Sequence, residues 1–175
     1  LLEKPLSNSQ QDLKKYLSFS KKNKISDKVF VNYTRRNKYH LNELFEICKN
    51  ENNLSITING GAIAFGCNGV HYLDNFLWYT KQNKTKVIWA ELSKEKVLSG
   101  RGPEYEDFGV RFLLKNNNGT LFASCSAESS SGVIISIVGK NFFVYIRKNS
   151  TVSGDMFRPP PDLMYDFSDS PSSLT

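Results

Sequence analysis

Between residues 108 and 147, apolar, β-branched and aromatic runs alternate with three turn signals, at 115–119, 129–132 and 139–141. Runs of that length, punctuated in that way, read as an antiparallel β-meander. Further upstream Leu54, Ile56 and Ile58 alternate with Ser55, Thr57 and Asn59, the period-two pattern of a half-buried strand. Gly60-Gly61 then turns the chain, and residues 62–65 read as the partner strand of a hairpin. Residues 76–79 and 86–90 read as a second strand pair, joined around 81–84, with Trp78 and Trp89 as core anchors. A weakly alternating run at 28–34 reads as one more strand.

The helical period appears in two places near the N-terminus. Ser9 has the character of an N-cap with Asp12 three residues on, and Leu13, Tyr16 and Leu17 share one face of a helix ending near Asn23. Leu41, Leu44, Phe45 and Cys48 fall at i, i+3, i+4 and i+7, which predicts a second amphipathic helix with Cys48 turned inward. Ser93 is expected to cap a short helix through Leu98, stapled by Leu92 and Val97. The predicted fold class is β-dominated α+β: antiparallel sheets forming a sandwich or partly open barrel, with the 108–147 meander and two N-terminal helices. Residues 1–154 are expected to form one globular domain. Residues 155–175 read as an extended Pro/Asp/Ser-rich tail, since Pro159-Pro160-Pro161 exclude helix.

Composition fits a folded domain: 175 residues, 39% hydrophobic and 13% aromatic. No apolar run is long enough for a membrane-spanning helix. The chain opens Leu1-Leu2-Glu3-Lys4-Pro5 without a methionine, which points to a processed or excised piece of a longer chain. The formal charge is +6, and the whole excess lies in residues 1–50, which hold 11 Lys/Arg against 5 Asp/Glu. That asymmetry raises an anionic partner as an alternative to a merely solvated basic face. Tyr33, Arg35, Arg36, Lys38 and Tyr39 form the densest basic-aromatic patch, suited with Lys14 and Lys15 to phosphate pairing and base stacking.

Chemistry-bearing motifs are sparse. Three cysteines and two histidines give no zinc spacing, and no cofactor or metal is expected. Walker, Rossmann and Gly-x-Ser-x-Gly patterns are missing. The pairing of Cys67 with His71 or His40 is the one with nucleophile–base character, on what reads as a Gly-flanked turn. The string Gly66-Cys67-Asn68-Gly69 is similar to a Gly-Cys-Asn-Gly string of papain-like cysteine proteases, in which this cysteine is structural; that family's nucleophile motif is missing. Five Asn-x-Ser/Thr acceptors, at Asn32, Asn53, Asn83, Asn118 and Asn149, are a mild excess and sit mostly in predicted turns.

These readings favour a non-enzymatic recognition or structural domain of an extracellular or virus-surface glycoprotein, binding protein or glycan. Two alternatives stand beside it: a basic nucleic-acid-binding module using the N-terminal third, and a cysteine-dependent hydrolase centred on Cys67. A subunit contact through residues 157–167 is a further expectation.

Overall fold

The structure is a computed structural model and describes residues 2, 6–7, 9–61, 65–98, 105–129 and 131–148. Helix α1 (Gln10–Lys22) starts where expected: the Ser9 hydroxyl accepts from the Asp12 amide at 3.1 Å and donates to its carboxylate at 2.9 Å. Lys21 and Lys22 in the last turn complement the helix dipole. The run at 28–34 is not a strand; Val31 makes a single bridge to Leu2 between two 3-10 turns, Ser26–Lys28 and Thr34–Asn37. Helix α2 (Tyr39–Cys48) buries Leu41, Leu44 and Cys48, the predicted stripe.

Six strands follow in one sheet: β1 (Leu54–Gly60), β2 (Lys86–Leu98), β3 (Glu106–Asn116), β4 (Gly119–Cys125), β5 (Val133–Val138) and β6 (Phe143–Lys148). Their order is β2-β3-β4-β1-β5-β6. The expected antiparallel sandwich or barrel is therefore replaced by a single mixed sheet. The β3–β4 and β5–β6 hairpins form as predicted, but β1 lies between them, parallel to β4 and antiparallel to β5. The Ser/Gly cluster before β5 is thus a crossing over the end of β1 rather than a hairpin turn. Ser126 donates its amide to the Gly60 carbonyl at 3.0 Å, and Gly61 donates to Ser131 at 3.2 Å.

That crossing explains the Gly60-Gly61 pair. A Cβ on Gly61 would stand 2.1 Å from the Ser129 carbonyl oxygen, and one on Gly60 would stand 2.9 Å from that of Gly132. The pair permits close backbone approach and turns no hairpin. The expected partner strand gives way to a third helix, α3 (Phe65–Tyr79), which also absorbs the run at 76–79; residues 62–64 lie outside the described residues. The helix expected from Ser93 is instead the second half of β2. Ser93 sits at an irregularity in the β2–β3 register, accepting from the Gly109 amide at 2.7 Å and donating to the Glu95 carbonyl at 2.8 Å.

One face of the sheet carries the core. Ile56, Ile58, Phe112, Leu114, Leu121 and Ile137 point toward α2 and α3, where they meet Leu44, Tyr72, Phe76 and Tyr79. Trp78 stacks on Phe45 at 4.8 Å as an anchor of this layer, whereas Trp89 is exposed on β2. The C-terminal end of α3 is held by the β3–β4 turn, with Asn118 Nδ2 donating to the Thr80 carbonyl at 2.8 Å and Asn116 Nδ2 to its hydroxyl at 2.9 Å.

Candidate active site

The parallel pair β1–β4 ends at Gly60 and Cys125, and α3 starts beside those ends. In open α/β sheets, the carboxyl ends of parallel strands are where ligands are met. Asp107, buried at the base of β3, is aimed at the first turn of α3: its Oδ1 accepts from the Gly66 amide at 3.3 Å and from the Phe108 amide at 2.9 Å. The carboxylate complements the positive helix end.

One turn further along α3 lies His71, buried at 7% exposure. The 3-10 turn Thr34–Asn37 and the residue before it fold onto this helix. Tyr33 meets the His71 ring edge-on at 6.1 Å, and the Arg35 guanidinium lies 4.5 Å above the Tyr72 ring. Arg36 forks onto Asp74, Nε to Oδ2 at 2.8 Å and Nη2 to Oδ1 at 2.5 Å, with its guanidinium 5.6 Å from the Trp78 ring. Burial raises the Tyr33 and Tyr72 hydroxyls above the usual phenol value, so both stay protonated donors. Arg35 has no carboxylate within ion-pair distance among the described residues. The assembly is a buried imidazole, two phenols, of which Tyr72 is 4% exposed, and an unneutralised guanidinium, gathered where the 3-10 turn packs on α3.

Three members of the predicted basic-aromatic patch, Tyr33, Arg35 and Arg36, are thus brought together on α3, while Lys38 and Tyr39 stay exposed at the start of α2. Lys14 and Lys15 lie apart on α1, where Lys15 pairs with Asp12. Cys67 and His71 lie on a helix, not a turn, one turn apart along α3. His40 lies in the first turn of α2. Of the glycan acceptors, Asn53 and Asn83 are exposed, Asn32 is half-buried, and Asn118 spends its amide on Thr80; Asn149 lies outside the described residues, as do residues 155–175. Tyr72 and Asp74 were not singled out from the sequence. The i, i+3 step from His71 to Asp74, on a stripe running through Tyr72, Phe76 and Tyr79, is the signal that would have found α3.

Scans against known protein families and against curated proteins find no match. Among solved structures, the fold is similar to that of a crystallised dehydrogenase, MviM from Clostridium difficile. The TM-score is 0.55 at 18% identity, over 83% of this chain and 48% of that one. This chain therefore spans about half the length of the structure it matches. The likeness is one of fold, and it corrects the functional expectation. The mixed sheet with helices on one face is shared with a dehydrogenase, which displaces the non-enzymatic domain of an extracellular or virus-surface protein, together with its glycoprotein, viral and secreted character. The nucleic-acid module and the Cys67-centred hydrolase are displaced on the same ground.

Proposed function

We propose that this chain is part of an oxidoreductase of the dehydrogenase kind, with Tyr33 and Arg35 facing substrate and the buried His71 and Tyr72 behind them. The observation that carries this is the fold shared with a dehydrogenase over 83% of the chain. The chemistry of these side chains agrees with it. Oxidation of a hydroxyl needs a proton acceptor beside the reacting carbon, and an imidazole is the side chain best suited to that near neutral pH. The Tyr33 hydroxyl and the Arg35 guanidinium are donors that can orient an oxygen-rich substrate.

Hydride chemistry belongs to a cofactor, and the described residues do not form a cradle for a dinucleotide. A pyrophosphate needs open backbone amides at a Gly-rich turn before a helix. Here the space beside Gly60 and Gly61 is filled by the backbone of Ser129, Ser131, Gly132 and Val133, and the Asp107 carboxylate already takes the Gly66 amide. The test is turnover by the whole protein with NAD or NADP and a panel of polyols, sugars and hydroxy acids, followed by the absorbance of the reduced nicotinamide. His71→Ala should lower kcat/KM by about 100-fold or more. Absence of turnover across the panel, or an unaffected His71→Ala enzyme, counts against the proposal.

A further inference from the structure

We propose that a cavity enclosed between α3 and the sheet is a hydration site, in which one or two ordered water molecules join Asn75 Oδ1 to the Tyr79 hydroxyl. Tyr72, Asn75, Phe76 and Tyr79 recur at helical spacing and form one face of α3. All four are buried and line the cavity. Ile56 and Ile58 of β1 and Ile137 of β5 form its floor, and Leu41 of α2 completes the wall.

Two polar atoms are stranded in this apolar layer. Asn75 is 9% exposed and Tyr79 3%, and neither Asn75 Oδ1 nor the Tyr79 hydroxyl has a hydrogen-bond partner among the described residues. The sheet side of the cavity contributes only isoleucines, which can pair with neither. A buried polar atom left unpaired costs folding about tenfold in its equilibrium constant, and often more, so folded proteins meet such atoms with ordered water. Asn is also a poor helix former. Neither local propensity nor apolar packing accounts for an amide at position 75, whereas a partner inside the cavity does.

Size and polarity select the occupant. The cavity volume is about 30 Å³. A water molecule needs roughly 10–15 Å³ of such space, and a dry cavity that takes benzene is far larger, at ~150 Å³. No lining side chain is charged, so an ion would lose its hydration there without meeting a counter-charge. Water meets both limits: it donates to Asn75 Oδ1 and either donates to or accepts from the Tyr79 hydroxyl. Ile135 and Ile146 are the half-buried members of the lining, which places the way in at the β5–β6 edge of the sheet.

The test is water–protein NOE spectroscopy of the whole protein, with chemical denaturation of Asn75→Leu, Tyr79→Phe and the double variant. The expected result is a set of cross-peaks from a long-lived water to the Ile137 methyls and the Tyr79 ring, lost in the double variant. Each single substitution leaves the water with one partner and should lower the folding equilibrium constant about tenfold, whereas the double variant should lose much less than the two effects combined. Single substitutions that each raise stability, or whose effects simply multiply, overturn the proposal, because orphaned atoms without water gain from removal. A shift of the wild-type Ile137 methyls under xenon, with no water cross-peak, overturns it as well by marking a dry cavity. The wild-type measurements decide the matter where a variant fails to fold. Turnover is not read, so the outcome is independent of the proposed activity.

Discussion

Arg36 and Asp74, 38 residues apart in sequence, are joined by two hydrogen bonds at 2.8 and 2.5 Å that fasten the 3-10 turn to α3. The side chain of Asp74 is only 12% exposed and that of Arg36 42%. A forked guanidinium–carboxylate pair is the strong form of an ion pair, and Lys cannot reproduce its geometry. The partial exposure of Arg36 lets solvent screen much of the Coulomb energy. Asp74→Ala is therefore expected to cost about 1–2 kcal/mol, and Arg36→Lys about half of that. A double-mutant cycle in urea checks it; additive effects of Arg36→Ala and Asp74→Ala would show the pair to be uncoupled.

What the sequence made legible, and what it hid, divides by the range of the interaction that decides each element. The Ser9 cap, the Leu41–Leu44–Cys48 stripe and the two hairpins are set by neighbours within a few residues, and local patterns displayed them. The intercalation of β1 between β4 and β5 joins residues about 65 to 80 positions apart, such as Thr57 with Phe122 and Ser136, and no local pattern encodes that. β2 was hidden by propensity: the Glu, Lys and Leu residues between 91 and 98 favour helix, and pairing with β3 overrides them. In α3, Gly66, Asn68, Gly69 and Asn75 disfavour helix one by one, and its stability comes from burying Tyr72, Phe76 and Tyr79. The candidate site suffered the same fate. Its arginines and tyrosine were visible as a patch, but His71, Tyr72 and Asp74 could be grouped with them only once α3 was a helix.

Lys81 holds a position better suited to glycine. α3 ends in a Schellman motif, with the Gln82 amide donating to the Leu77 carbonyl at 2.9 Å and the Lys81 amide to that of Trp78 at 3.0 Å. The motif requires a left-handed residue, and Lys81 has φ 51°. A side chain there carries a Cβ penalty that glycine lacks, partly offset by glycine's greater freedom in the unfolded chain. Lys81→Gly should raise stability by about 0.5–1 kcal/mol, read as a higher denaturant midpoint at unchanged slope. A lower midpoint would mean that the lysine stem contributes more than the strain removes.

Gly119 marks the point where β1 and β4 come into register, opposite Leu54. A Cβ there would stand 2.6 Å from the Leu54 carbonyl oxygen and 3.2 Å from Thr80 Cγ2. The first of these is backbone and cannot swing aside. Gly119→Ala is expected to destabilise by about 2–3 kcal/mol or more, because it separates the parallel pair at its first residue. The amide of Leu54, which donates to the Asn118 carbonyl at 2.9 Å, should lose protection from hydrogen exchange. Wild-type protection at that amide in the variant would show that the strands absorb the methyl without separating.

The buried thiols set an alkaline limit on stability. Burial pushes Cys48 up from 9.0 to about 12 and Cys125 to about 11, and raises Tyr79 in the same direction. Each group holds its proton more tightly folded than unfolded, so above the unfolded value the native state carries more protons than the unfolded one. By linkage, unfolding free energy then decreases with pH. The contribution is complete below pH 9.0 and is lost as pH rises through the folded values toward about 12. Denaturant midpoints should therefore be flat in this respect below pH 9.0 and fall steadily above it. Cys48→Ala removes the thiol that burial raises further, so its decline should be shallower even though the cavity lowers its stability at neutral pH. An alkaline slope identical in wild type and Cys48→Ala would place the sensitivity elsewhere, with the Tyr72 and Tyr79 hydroxyls next to be tested by substitution with phenylalanine.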